Sequence, residues 1–149
     1  MSVAPTIGDM MAAYAEDAID YVRQNFETEL DYSEGSVELI EALLSAIHEQ
    51  MPPEIRAQIT DDGPPPEVID QFAKMLGGYV GEVMRRNWGG TWKDHSAAFP
   101  GELVYTLELG DGGGDVWPHF KAGKRLINGP EDNIWDYFQI LREKRAAAL

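Results

Sequence analysis

Apolar side chains recur every three or four residues over the first part of the chain, the spacing of a helix with one buried face. One stripe predicts a helix from about Ile7 to Leu30, with Ile7, Met11, Tyr14, Ala18, Tyr21, Val22 and Phe26 facing inward. Another predicts a helix from a Ser33 N-cap to about Gln50, with Val37, Ile40, Leu44, Ile47 and Met51 inward. Because the connection between them is short, the sequence predicts an antiparallel helical hairpin.

Prolines and glycines bound the next periodic stretch. Residues 52–66 contain five prolines and predict a connector, in which Glu54–Ile59 has room for one helical turn. A central helix is then predicted from Glu67 to the Gly89-Gly90 pair, since a proline suits the first turn of a helix and a glycine its end. Its inward stripe is predicted to be Val68, Phe72, Leu76, Tyr79 and Val83.

Three glycines lie inside this central helix, at positions 77, 78 and 81. Each destabilises a helix by roughly 0.5–1 kcal/mol relative to alanine, so a compensating interaction is expected. Close approach of another segment to a face without side chains is the favoured interpretation. The alternative is that the glycines leave room for a ligand against Tyr79.

After Gly90 the apolar period changes from that of a helix to that of a strand. Short strands are predicted at 91–95, 102–109 and 116–120, with Pro118 marking an edge strand or a bulge. Asn128-Gly129 predicts a turn, and Pro130 the start of a last helix. The expected fold class is α+β: an N-terminal helical hairpin and a central helix packed with a small antiparallel sheet of about three strands, closed by a C-terminal helix. We expect residues 1–149 to form a single domain.

Negative charge is concentrated in the first half of the chain. Of the 26 acidic residues, 16 lie in residues 1–70 beside only two basic ones, whereas residues 71–149 hold ten of each. A field this negative repels phosphate groups, so we expect neither nucleic acid nor an anionic membrane as a partner. A basic protein partner is compatible with it, although a merely solvated acidic face would look the same.

The composition favours a cytoplasmic protein. The chain has no cysteine, which suits a reducing compartment. Its N-terminal residues carry no basic group and no long apolar run, so no signal peptide is expected. No apolar run approaches the roughly 20 residues that span a bilayer, so no membrane span is expected.

Known catalytic and cofactor motifs do not occur in the chain. The three histidines, His48, His95 and His119, lack the spacing of metal ligands, although His95 and His119 could meet across the sheet. Residues 111–115, DGGGD, predict a hairpin loop in preference to a calcium site. The Gly-Lys-Arg segment at 123–125 lacks the rest of a phosphate-binding loop. We therefore expect no metal and no cofactor, and we assign no catalytic residue.

Aromatic and basic side chains gather in the second half of the chain. Arginine and tryptophan are the residues that binding interfaces favour, because they combine large area with oriented hydrogen-bond donors. The candidate binding residues are Tyr79, Arg85, Arg86, Trp88, Trp92, His95, Trp117, His119, Lys124 and Arg125. The alternative is that the tryptophans fill a core and the cations balance nearby acids. We expect any site near the Arg85–Trp88 end of the central helix.

Part of the chain resembles a loose group of bacterial domains of unknown function. In those domains a G-x-x-x-G-E/D helix precedes a G-G-x-W segment, a proline-containing strand, a Lys-Arg pair, an Asn-Gly turn and a closing helix. The matching residues are Gly77 or Gly78, Gly81, Glu82, Gly89, Gly90, Trp92, Pro118, Lys124, Arg125, Asn128 and Gly129. The resemblance covers roughly residues 67–140; it implies a bacterial protein and supplies no activity or catalytic residue.

Three functional hypotheses follow from these patterns. The first is a non-catalytic, acidic, cytosolic protein-binding module, such as an inhibitor or immunity-type protein that masks a basic partner. The second is a small-molecule-binding or enzymatic domain with a pocket near Tyr79, Trp92 and His119. The third is a homodimer formed through the glycine-lined helix face.

Overall fold

The computed structural model describes residues 4–110 and 112–148. Its helices are α1 (Ile7–Phe26), α2 (Ser36–Glu49), α3 (Pro53–Arg56), α4 (Glu67–Trp88), α5 (Pro118–Asn128) and α6 (Ile134–Ala148), with a 3₁₀ turn at Pro130–Asp132. Its strands are β1 (Gly90–Lys93), β2 (Thr106–Leu109) and β3 (Gly114–Val116). They form an antiparallel sheet in the order β1-β2-β3. The predicted α+β fold class is confirmed.

Local signals set the ends of the N-terminal helices. Thr6 and Asp9 form a reciprocal capping box that starts α1. Glu27, at a left-handed φ of 51°, ends α1 at Phe26, four residues before the predicted end. The N-cap of α2 is Gly35 and not Ser33, whose carbonyl instead accepts a hydrogen bond from the Ser36 N–H.

Helix α4 lies at the centre of the core. It packs on α1, α5 and the first two strands, while α2 packs mainly on α5 and α6. Every residue of α4 from Leu76 to Met84 is buried. Trp92, Leu107 and Val116 are paired across the sheet and are buried as well. In the first half of α4 the predicted stripe is displaced by one residue, because Ile69 and Ala73 are buried whereas Val68 is exposed and Phe72 only half-buried.

The three glycines of α4 allow three different segments to approach it, as expected from close packing. A Cβ added at Gly77 would lie 2.7 Å from the Cα of His119 in α5. At Gly78 it would lie 3.0 Å from the Cβ of Tyr14 in α1, and at Gly81 it would overlap the ring of Trp92 in β1. This glycine face is therefore covered from within the chain and is not available for the predicted dimer contact. Homodimer formation itself stays a prediction.

The segment after β3 differs from the prediction. Residues 116–120 were expected to continue a strand, but β3 ends at Val116 and Pro118 is the first residue of helix α5. The reason is that a proline at the start of a helix gives up no hydrogen bond and has the right φ. The β2–β3 hairpin itself is present, and Asp111 of its loop lies outside the described residues. The last helix begins at Ile134 and not at Pro130, because the extended backbone of Asn133 separates the 3₁₀ turn from α6.

Candidate functional site

The buried carboxylate of Glu82 organises the C-terminal end of α4. Arg85 donates to it from Nε at 2.6 Å and from Nη2 at 3.0 Å, and Trp92 Nε1 donates at 2.9 Å. Arg86 Nε adds a longer contact of 3.4 Å. Burial raises the pKa of Glu82, but these hydrogen bonds and the two guanidinium charges outweigh it and hold the pKa below its ordinary value of 4.5. The carboxylate has its partners within the protein, which makes it a structural anchor.

An aromatic stack continues this network towards the loop between α1 and α2. The Arg86 guanidinium lies 3.7 Å from the centre of the Tyr32 ring, which stacks in turn on Tyr79 at 5.2 Å. The Tyr79 hydroxyl accepts a hydrogen bond from the Tyr32 N–H and is 2.7 Å from the Ser36 hydroxyl. Tyr79 is fully buried, so the glycines beside it do not open a ligand site.

Trp88 joins the end of α4 to α6. Its Nε1 donates to Glu34 at 2.6 Å, and its ring stacks on Phe138 with centroids 4.7 Å apart. Five of the candidate residues, Tyr79, Arg85, Arg86, Trp88 and Trp92, thus hold this end of the helix in place. The structural alternative fits them better than an open binding face.

Three further candidates lie apart from one another. His95 is exposed and contacts Asp94, so it does not meet His119. Trp117 precedes α5 and donates from Nε1 to the Thr106 hydroxyl at 3.2 Å. Arg125 is buried, and its Nε donates to both oxygens of Glu41 at 2.9 and 3.1 Å.

His119 and Lys124 line a cleft of about 260 Å³ between α4 and α5, hereafter the α4–α5 cleft. Its apolar lining consists of Pro65, Ile69, Ala73, Phe120, Gly123 and Ile127. Asp70, from the first turn of α4, lines it as well, and its Oδ1 is 3.1 Å from His119 Nε2. Lys74 pairs with the other oxygen, Oδ2, at 2.8 Å.

The protonation states in this cleft follow from burial and pairing. Burial lowers the pKa of His119 below its ordinary value of 6.5, and the Asp70 carboxylate offsets only part of this effect. At neutral pH the ring is therefore uncharged and carries its proton on Nε2, which faces Asp70. Burial opposes ionisation of Asp70, but hydrogen bonds from Lys74 and His119 hold its pKa below 3.8.

A second concave surface, which the sequence did not indicate, lies between the N-terminal helices. We call it the α1–α2 groove; its volume is about 290 Å³. It is lined by Val22 and Phe26 of α1 and by Leu39, Ala42, Leu43 and Ala46 of α2. Phe26 is 53% exposed and Leu39 is 49% exposed. Phe26 was predicted to face the core, whereas Leu39 lies off the inward stripe of its helix, and that position was the available signal.

Within residues 4–110 and 112–148, no three His, Cys, Asp or Glu side chains are grouped so that they could hold a metal ion. Over the same residues, no helix has the length and apolar character needed to cross a membrane.

Comparison of the chain with protein-family models, with curated proteins and with solved structures finds no match. The resemblance to bacterial domains of unknown function therefore stays a prediction.

Proposed function

We propose that this chain is a non-catalytic, cytosolic protein-binding module, and that a basic amphipathic helix of its partner docks in the α1–α2 groove. The observation that carries the proposal is an exposed apolar groove set in the most acidic part of the chain. The cytosolic setting rests on the lack of cysteine, and a bacterial one on the resemblance over residues 67–140. Masking a basic partner in this way is what an inhibitor or immunity-type protein does.

The shape of the groove favours a helix as the occupant. The α2 residues that line the groove run from Leu39 to Ala46, about 11 Å at 1.5 Å per residue, enough for roughly two turns of a partner helix. A helix that lays one apolar stripe into such a groove places side chains at i, i+4 and i+7 against it. Phe26 and Leu39 then become buried between the two proteins.

The charges around the groove favour a basic partner. Glu38 lies four residues before Ala42 and Glu49 three residues after Ala46, so both border the groove on α2. Beyond Phe26, Glu27 continues the acidic rim, whereas Glu29 is paired with Arg23. Lysines or arginines beside the apolar stripe of the partner would face these carboxylates.

The two basic residues of this region do not offset the acidic rim. Arg23 is already paired with Asp20 and Glu29 on the surface, and Arg56 donates from Nη2 to the carbonyl of His48 at 2.9 Å. Most of the negative charge of residues 1–70 is therefore available to attract a cation. Such attraction raises association rates more than it raises affinity, and it weakens as salt increases.

A designed peptide pair tests the proposal without a known partner. One peptide of about 18 residues carries leucines at i, i+4, i+7 and i+11 with lysines beside them, and the other has the same composition in scrambled order. We expect the ordered peptide to bind at least about tenfold more tightly by fluorescence anisotropy, and its association rate to fall steeply from about 50 to about 500 mM NaCl. Equal binding of both peptides, or an association rate indifferent to salt, would contradict the proposal.

Matched surface variants locate the contact. Phe26→Ser and Leu39→Ser each remove an exposed apolar side chain and are expected to weaken the ordered peptide by about tenfold, as truncation of an interface anchor does. Ile140→Ser is the control, because Ile140 is 52% exposed on α6 and does not line the groove. Unchanged binding by the two groove variants would place the contact elsewhere.

A further inference from the structure

The α4–α5 cleft is open to solvent because small residues face one another across it. α5 runs alongside α4 from Gly77, where its first turn makes backbone contact, to Ile69 and Ile127. Between these points Ala73 faces Gly123, and a Cβ added to Gly123 would lie 3.7 Å from the Cβ of Ala73. The result is an apolar floor with no long side chain across it.

The polar groups of this cleft differ in whether they already have hydrogen-bond or ion-pair partners. Asp70 has Lys74 on one oxygen and His119 on the other, and Asn128 donates to Asp132 at 2.9 Å. Lys124 is exposed at the rim and has no hydrogen bond or ion pair with any residue of the described chain. Among the described residues of this region, Asp70 is paired with Lys74, Asp132 is paired with Lys121 at 3.1 Å, and His119 is uncharged. Lys124, whose charge also acts on Asp132, therefore leaves one positive charge in excess at the cleft.

We propose that the α4–α5 cleft binds a small molecule that has an apolar body and a single carboxylate group. The body lies on the floor formed by Ile69, Ala73, Gly123 and Ile127, and the carboxylate pairs with Lys124. This site is separate from the α1–α2 groove and does not depend on the partner proposed for it.

The size and donor content of the cleft narrow the ligand class. A volume of about 260 Å³ is just below the range typical of pockets for drug-sized ligands, so the ligand is small. Phosphate groups are usually held by several donors, whereas Lys124 is the one cation of this cleft without an ion pair among the residues that the structure describes. A monocarboxylate with one ring or a short alkyl chain satisfies both conditions.

Three probes of the same shape and different charge test the proposal. Phenylacetate, phenylacetamide and phenethylamine are titrated into the ¹⁵N-labelled protein, and amide shifts of residues lining the cleft are followed by NMR. We expect phenylacetate to bind about two- to fivefold more tightly than phenylacetamide, within the range for one exposed ion pair, and phenethylamine to bind least. The proposal is overturned if charge makes no difference, if the amine is preferred, if the shifts lie elsewhere, or if phenylacetate causes none.

Two variants and a control distinguish the contribution of the Lys124 charge to binding from that of the cavity. Lys124→Gln is expected to abolish the preference for phenylacetate over phenylacetamide, whereas Lys144→Gln, an equal charge change at an exposed position of α6, keeps it. Gly123→Leu fills the floor and is expected to remove binding of all three probes while the circular dichroism spectrum stays unchanged. Retention of the preference in Lys124→Gln, or of binding in Gly123→Leu, would overturn the assignment.

Discussion

Replacing Gly77 by alanine should destabilise the protein, although alanine is the better helix former. The added Cβ would lie 2.7 Å from both the Cα of His119 and the carbonyl oxygen of Pro118. Non-bonded carbon atoms prefer separations of about 3.5–4.0 Å, so the start of α5 would have to move by about 1 Å. The obstructing atoms are backbone, and they cannot rotate away as the end of a side chain could.

The magnitude follows from two opposing contributions to the free energy of unfolding. Alanine gains about 1 kcal/mol of helix propensity over glycine. Overpacking of a well-packed interior costs about 1–3 kcal/mol, and displacement of backbone belongs at the upper end of that range. We therefore expect Gly77→Ala to be less stable than the parent protein by about 2 kcal/mol.

Gly123→Ala is the matched control, because Gly123 is also inside a helix. Its added Cβ would meet the Cβ of Ala73 at 3.7 Å, an ordinary contact, so only the propensity gain of about 0.5–1 kcal/mol remains. Urea unfolding followed by circular dichroism, with the denaturant slope checked for constancy, gives both values. If Gly77→Ala is as stable as Gly123→Ala, close approach of α5 does not explain the glycine at position 77.

Two further predictions concern buried ionisable groups. Glu41→Ala removes the acidic partner of the buried Arg125 and the acceptor for the Ile134 N–H. Urea unfolding should therefore show a free energy of unfolding that is lower by about 3–5 kcal/mol. Glu38→Ala, at an exposed position of α2, is the control and should change it by less than about 0.5 kcal/mol. Burial lowers the pKa of His119, so the unfolded chain binds a proton at a pH where the folded chain does not. The contribution of His119 to the free energy of unfolding should be fully present above pH 6.5 and decrease as the pH drops towards the folded pKa. Asp70 and Glu82, whose pKa values are also lowered, should cause further losses at lower pH. His119→Asn should lose less stability than the parent protein between about pH 7 and about pH 5.5, and equal losses would refute the assignment.

Prolines and glycines at the ends of helices made part of the fold predictable. The bounds of α4 were predicted correctly because Pro66 and Gly89 mark them in the sequence. Helix α5 was missed because its buried positions include a charged residue, Arg125, whose burial depends on Glu41 in a distant helix. A buried arginine does not count as an apolar position, so the buried stripe of α5 was not recognised as that of a helix. Pro118 was therefore assigned to a strand.

The candidate site was less predictable because its geometry depends on contacts distant in sequence. Arg85 and Arg86 were visible as a cationic pair, but the sequence does not show that Glu82 binds both. His119 and Lys124 were predicted as binding residues, whereas Asp70 was not, since it belongs to the start of another helix. The exposure of Phe26 depends on the separation of α1 and α2. That separation is determined by the packing of each helix on other elements of the fold.

The covered middle of α4 also has a consequence for how the protein folds. Helices containing three glycines are poorly stable in isolation, because nucleation is unfavourable and each glycine weakens propagation. Gly77, Gly78 and Gly81 contact segments from α5, α1 and β1, so the interactions that compensate for them come from parts of the chain that precede and follow α4. The helix and the packing around it are therefore expected to form together, and the chain should lose its secondary and tertiary structure in one cooperative transition.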